Sequence, residues 1–182
     1  MNYGGYLVAC YSIHPLMSML KAALPDYAPP IIGIFEASVS TALSLLPQPI
    51  ANQYRKFGIV TTGKYWEKIL TDGVMDYLGC DASTGSKKFK GVETTGLTAA
   101  ELHTSPPQDV KKRIMDATKR LVQDGDVDVI CLGCAGMAGM DDTVRAACVE
   151  KLGRERGDRI HIIDGVKGGI AVLDGLARGK AV

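Results

Sequence analysis

Short apolar runs alternate along this chain with longer stretches of helical periodicity, and this alternation limits the available folds more than any other feature. The runs at 6–9, 30–34, 57–61, 92–94, Val127–Leu132 and 159–163 read as strands. The stretches at 15–24, 36–46, 64–78, 107–124, 142–153 and 168–177 read as helices. Such a series predicts repeated βα units, hence an α/β fold with parallel sheets. The helix at 107–124 has the clearest pattern, because Val110, Ile114, Ala117, Leu121 and Val122 form one apolar stripe. Ser105, Pro106 and Pro107 supply its start and Gly125 its stop, and its role reads as structural.

Two segments interrupt the periodicity. Pro47-Gln-Pro49 with the polar cluster after it is the stronger break, and 164–169, rich in glycine, is the second. The stretch 80–91 is polar and rich in Gly and Ser, which fits a surface loop or a lid; composition does not separate the two. Trp66 and the helix methionines read as core, and His14, ahead of a proline, reads as a helix-start residue.

Charge excludes several classes of partner. The 182 residues carry 21 basic and 20 acidic side chains, a net charge of +1, so no global field draws nucleic acid or an anionic membrane. The longest basic run, Lys87-Lys88-Phe-Lys90, lacks the length and interleaved aromatics of a nucleic-acid patch and fits a solvated loop. No apolar segment approaches a membrane span and no signal-peptide pattern opens the chain, so the expectation is a soluble, cytoplasmic protein.

Five cysteines, an odd number without secretory features, argue for reduced thiols. Cys10 and Cys134 each follow an apolar run and precede a helix, which places both at carboxyl strand ends, where open α/β sheets hold their ligands. One thiolate there would remove a proton from carbon while the opposite thiol returns one to the other face, a racemisation without cofactor. Against this stands burial, since free cysteine is among the most buried residue types; the matching contexts favour chemistry. Cys131 and Cys134 form a nominal C-x-x-C, but positions three apart in a strand face opposite sides, which disfavours a disulfide. His14, His103 and His161 show no ligand spacing for zinc, so no metal is expected.

Carbon-acid chemistry requires a stabilised thiolate and a stabilised enolate-like carbanion, and amides at helix starts assist both. Cys10-Tyr11-Ser12 and Cys134-Ala135-Gly136 are the candidates, with Gly133 and Gly136 allowing a ligand close to the backbone. The glycine spacing fits no phosphate loop. Thr61 and Thr62 end a strand where they would either hold a substrate carboxylate, ureide or ring carbonyl or, for Thr62, cap the next helix. Glu36 fits a helix first turn as readily as a base-orienting role and is left outside the site.

Four segments occur in a characteristic order: Tyr-Leu-Val-Ala-Cys10-Tyr-Ser-Ile-His-Pro-Leu, Ile-Ile-Gly33-Ile-Phe-Glu36-Ala, Phe-Gly58-Ile-Val-Thr61-Thr62-Gly63-Lys-Tyr-Trp66-Glu and Leu-Gly133-Cys134-Ala-Gly136-Met137-Ala. Together they resemble the hydantoin/allantoin racemase branch of the aspartate/glutamate racemase superfamily, including its fungal members, over essentially the whole chain. The resemblance implies two pseudo-symmetric α/β lobes, a first of 1–52 completed by 164–182 and a second of 53–163. It also implies Cys10 and Cys134 as catalytic thiols, with Tyr11, Ser12, Thr61, Thr62, Gly133, Ala135 and Gly136 around a small ureide substrate. No cofactor is implied, and a homo-oligomer is.

One feature departs from that pattern. Family members usually open with a strand and an Asn-Pro-Asn-like turn, whereas this chain starts at Met1-Asn-Tyr-Gly-Gly, directly before the first cysteine's strand. The expectation is a truncated first lobe with an uncovered edge and weak activity. Alongside the racemase stand a catalytically silent relative that acts by binding or assembly, and a related one-cysteine decarboxylase or isomerase.

Overall fold

The computed structural model describes residues 3–25, 28–81 and 85–179. Two parallel sheets organise them. Strands β1 (Tyr6–Val8) and β2 (Ile31–Gly33) pair in a two-stranded sheet. Strands β3 (Lys56–Thr61), β4 (Phe89–Thr94), β5 (Val127–Leu132) and β6 (His161–Asp164) form a second sheet in the order β4-β3-β5-β6. Helices α1 (Pro15–Ala23), α2 (Ile34–Leu45), α3 (Tyr65–Leu78), α4 (Glu101–Thr104), α5 (Pro107–Leu121), α6 (Asp141–Leu152) and α7 (Arg154–Gly157) connect consecutive strands, and α8 (Gly165–Gly179) follows the last. This is the α/β fold with parallel sheets that the alternation of runs predicts.

Residues of the larger sheet alternate between two covered faces, which is why its central strands β3 and β5 are buried nearly throughout. Phe57, Ile59, Val129 and Cys131 join one buried cluster with Phe35, Val39 and Ala42 of α2 and Leu70 and Val74 of α3. Val60, Val127, Ile130 and Leu132 face the opposite way, onto Val110, Ile114, Ala117 and Leu121 of α5 and Val144 and Cys148 of α6. The apolar stripe read from the sequence of α5 is therefore its sheet-facing side. Gly58 is required there, since a β-carbon on it would lie 2.6 Å from a methyl carbon of Leu121.

The last helix returns to the small sheet. A β-carbon on Gly169 of α8 would stand 3.0 Å from Leu7 and from Ile34, so the missing side chain lets α8 lie close against β1 and the start of α2. Charges gather at the opposite, amino-terminal edge of the large sheet, where Asp128 accepts from both Arg55 and Arg156, and Asp126 pairs with Lys56 and Lys90.

Several local expectations change. β4 begins at Phe89 rather than 92, so the last residues of the polar 80–91 stretch are strand, with Gly91 at φ 135° in its interior; residues 82–84 lie outside the described residues. α8 begins at Gly165 rather than 168, because Asp164 caps it. α5 starts from Pro106 without a side-chain cap, and Ser105 contributes none. His14 does cap α1, its Nδ1 accepting from the Leu16 amide at 3.1 Å. Met19 is 62% exposed, so it is surface rather than core. The short helices α4 and α7 were not legible, being single turns without room for a periodic stripe.

A β-carbon on Gly157 would lie 2.5 Å from the Val149 Cα and 2.6 Å from its nitrogen, so α7 packs directly on the backbone of α6. Gly157→Ala is expected to destabilise the fold by roughly 1–3 kcal/mol through this overpacking. Urea denaturation of both forms measures it, with a lowered midpoint expected.

Candidate functional site

The carboxyl ends of the parallel strands carry the chemistry-bearing turns. β1 ends at Val8 and leads through Ala9 into Cys10, whose carbonyl accepts from the Ser12 amide at 3.0 Å in a tight turn. The Cys10 sulfur is 3.5 Å from the Ser12 hydroxyl, and the thiol is partly exposed. β5 ends at Leu132, and after Gly133 the chain places Cys134 immediately before a 3-10 turn, Ala135–Met137. The Cys134 carbonyl accepts from the Met137 amide at 2.9 Å, and its thiol is also partly exposed. Ala135 and Gly136, as first residues of that turn, present amides without an intrahelical partner.

Burial separates the five thiols chemically. Cys131 is fully buried, and burial pushes its thiol up to about 12; Cys148 is pushed up to about 11 by the same cause. Both therefore stay protonated and unreactive near neutrality. Cys80 is partly exposed but follows the carboxyl end of the helix α3 rather than a strand. Only Cys10 and Cys134 combine partial exposure with a position just past a parallel strand. All five are free thiols. Among the described residues no group of three His, Cys, Asp or Glu side chains converges as a metal site.

Several residues that the sequence places near a ligand serve packing here. Tyr11 is 5% exposed; its ring lies edge-on to Phe35, with centroids 5.6 Å apart, and two of its ring carbons stand 3.2 Å from where a β-carbon on Gly165 would be. Its hydroxyl is buried, and that burial, reinforced by neighbouring Cys131, holds the phenol well above its usual range. Tyr11 thus wedges the Cys10 turn against the start of α8 and can offer a ligand only backbone. Thr61 is fully buried and its hydroxyl donates to the Gly133 carbonyl at 2.6 Å, so it holds the ends of β3 and β5 together. The Gly133 amide donates to the Val60 carbonyl at 2.8 Å in the same clasp, and a β-carbon on Gly133 would collide with Ile59 at 2.6 Å. Thr62 is 2% exposed, and its carbonyl accepts from the Gly96 amide at 3.2 Å; the helix start that it precedes has no side-chain cap.

Two residues near this edge escaped sequence reasoning. Asp164 is 5% exposed; one oxygen accepts from the amides of Val166 and Lys167 and the other from the Gly139 amide at 3.1 Å. It thereby caps α8 and ties down the loop that follows Cys134. Its signal was an aspartate ahead of a glycine-rich helix, read only as a break. His103 belongs to α4, and its Nε2 lies 3.3 Å from the position of a β-carbon on Gly136. A groove of about 550 Å³ beside α4 and α5, lined by Glu101, Asp109, Lys112 and Arg113 among others, includes neither catalytic candidate.

No helix in the described residues is long and apolar enough to cross a membrane. A family model for Asp/Glu/hydantoin racemase matches residues 1–173. An uncharacterized protein of Schizosaccharomyces pombe is 39% identical over 173 residues, covering 95% of this chain and 63% of that protein. The hydantoin racemase of Rhizobium meliloti is 24% identical over 174 residues, covering 94% of this chain and 59% of its own length. The chain thus spans about three fifths of the curated relatives that it matches. Among solved structures, allantoin racemase from Pseudomonas fluorescens superposes with a TM-score of 0.69 at 23% identity, covering 98% of this chain and 63% of that one; at this identity the likeness speaks for the fold.

Thr61→Val keeps shape while orphaning the buried Gly133 carbonyl, and is expected to cost about 1–3 kcal/mol of stability by denaturant titration. Timed alkylation of the native protein near pH 8, followed by peptide mapping, should modify Cys10 and Cys134 well before Cys131 and Cys148. The last two should react only on unfolding.

Proposed function

The chain belongs to the Asp/Glu/hydantoin racemase family, and on that premise we propose that it is a cofactor-independent racemase or epimerase of hydantoin- or allantoin-type substrates. The observation that carries this reading is the selective placement of Cys10 and Cys134. These two thiols alone are partly exposed and just past parallel strand ends, while Cys131 and Cys148 are buried and held protonated. The relatives add support, since a hydantoin racemase and an allantoin racemase structure are among the proteins that the chain resembles.

The substrate carbon lies between a ring nitrogen and a carbonyl. In one direction the thiolate of one cysteine takes the proton from that carbon, and the electron pair left behind delocalises into the carbonyl. The thiol of the other cysteine then delivers its proton to the opposite face, so the configuration inverts and the two cysteines exchange protonation states. The amides of Ala135 and Gly136 would donate to the developing oxyanion, a role suited to donors fixed before the reaction. Ser12 adds to the binding surface in this reading and Tyr11 contributes through backbone only, while the buried Thr61, Thr62 and Gly133 support that surface from behind by fixing the ends of β3 and β5. This mechanism requires a cleft between a first lobe of 1–52 with 164–182 and a second of 53–163, with the two sulfurs about 7–9 Å apart across a bound carbon centre.

Loss of the α-proton signal in deuterium oxide, followed by NMR for allantoin and several 5-substituted hydantoins, tests the activity. Cys10→Ser and Cys134→Ser should each lose about two to four orders of magnitude of inversion, each retaining exchange for at most one enantiomer. Full racemisation by either variant would refute the two-thiol assignment.

A further inference from the structure

Ser12 carries a buried hydroxyl with a single partner. The residue is 9% exposed, and its oxygen lies 3.5 Å from the Cys10 sulfur, a hydrogen-bonding distance for an atom as large as sulfur. Among the described residues the hydroxyl has no other hydrogen bond. A buried hydroxyl left without a partner is costly, so this contact is a constraint on the turn.

The turn holds the two atoms together from several sides. The Ser12 amide donates to the Cys10 carbonyl at 3.0 Å, which closes the backbone between them. Tyr11, the residue in the middle, is buried edge-on against Phe35. Half-exposed Ile13, on the far side, reaches α3, with a methyl carbon 3.1 Å from where a β-carbon on Gly73 would be. With both of its neighbours engaged, Ser12 has little freedom to leave the sulfur. His14 does not compete for the thiol, because its Nδ1 accepts from the Leu16 amide at 3.1 Å and caps α1. Cys134 differs: among the described residues its sulfur makes no side-chain hydrogen bond.

From this geometry we infer that Ser12 is the positioning residue of Cys10: its hydroxyl donates to the sulfur, fixes its direction and supports it as a thiolate. A thiolate has no proton to give, so in that form the hydroxyl must be the donor. A hydrogen bond to a charged acceptor is about twice as strong as one to a neutral acceptor, and bonding to the charged form favours that form. No covalent bond to Ser12 changes. The serine keeps its proton, and Cys10 exchanges its own only with the substrate carbon. The lone pairs on the same oxygen remain free to accept from a substrate N–H, so the role is compatible with a place on the binding surface. The inference rests on the racemase reading for its purpose, but the contact belongs to the chain without substrate.

The experiment compares the full chain with Ser12→Ala, which removes the hydroxyl, and Ser12→Thr, which keeps it. Each is treated with iodoacetamide at pH 7, the rate at each cysteine is followed by peptide mapping, and melting curves establish that the variants are folded. The expected result for Ser12→Ala is alkylation of Cys10 slower by about three- to tenfold. Ser12→Thr should stay within about twofold of the native rate, and Cys134 should react alike in all three. A hydroxyl that only filled space would, once removed, open the way to the sulfur and speed its alkylation. Equal or faster reaction of Cys10 in folded Ser12→Ala therefore overturns the inference. Equal slowing in the alanine and threonine variants, or parallel slowing at Cys134, overturns it too, as a disturbance of the turn or of the whole chain. Turnover is read separately. A slowed Cys10 in a chain that exchanges no ureide α-proton sustains the contact and removes the racemase reading, whereas α-proton exchange with an unslowed Cys10 does the reverse.

Discussion

Everything at the candidate site depends on one buried helix. Ile34, Phe35, Ala37, Val39 and Ala42 of α2 are all fully buried, so the helix has apolar neighbours around most of its circumference rather than along one stripe. It lies against the large sheet through Phe35, Val39 and Ala42 and against α8 through Ile34. Phe35 then receives the Tyr11 ring edge-on, and Tyr11 is the residue next to Cys10. The first thiol is consequently located by aromatic packing on a helix whose other neighbours are the strands leading to the second. Two three-residue strands could not fix that relation alone, because so short a pair is marginal without a helix to pack on.

The second thiol is located by hydrogen bonds instead. Thr61 and Gly133 clasp the ends of β3 and β5, while Asp164 holds Gly139 beyond the 3-10 turn. Between these two fixed points the chain must present Cys134, and the turn leaves the amides of Ala135 and Gly136 facing outward from the helix start. Both anchors are buried, where an unmade hydrogen bond costs most, so both are strong constraints on loop geometry.

Much of this was legible in the residues. Apolar runs located all six strands, β5 to the residue, because a strand covered on both faces is a nearly continuous apolar run, broken in β5 only by Asp128. Cys10 and Cys134 were legible as strand-end residues for the same reason. Tyr11 and Thr61 were misjudged in emphasis: a polar atom beside a turn looks available to a ligand, and only tertiary packing shows that the ring is a wedge and the hydroxyl a clasp. His103 was weighed only for zinc, since its approach to Gly136 comes through α4 and leaves no spacing in the sequence. Asp164 was half visible, its capping role being local and its hold on Gly139 not.

The carboxylate of Asp164 also has a mechanical consequence. One oxygen grips the first turn of α8, and the other grips the loop that follows Cys134. Because α8 runs on to lie against β1 and α2, the corner acts as a rigid coupling between the helix that roofs the small sheet and the loop that carries the second thiol. Rocking of α8 would drag that loop with it. The first turn of α8 and the Cys134 loop thus share one buried anchor, and a displacement of either is felt by the other.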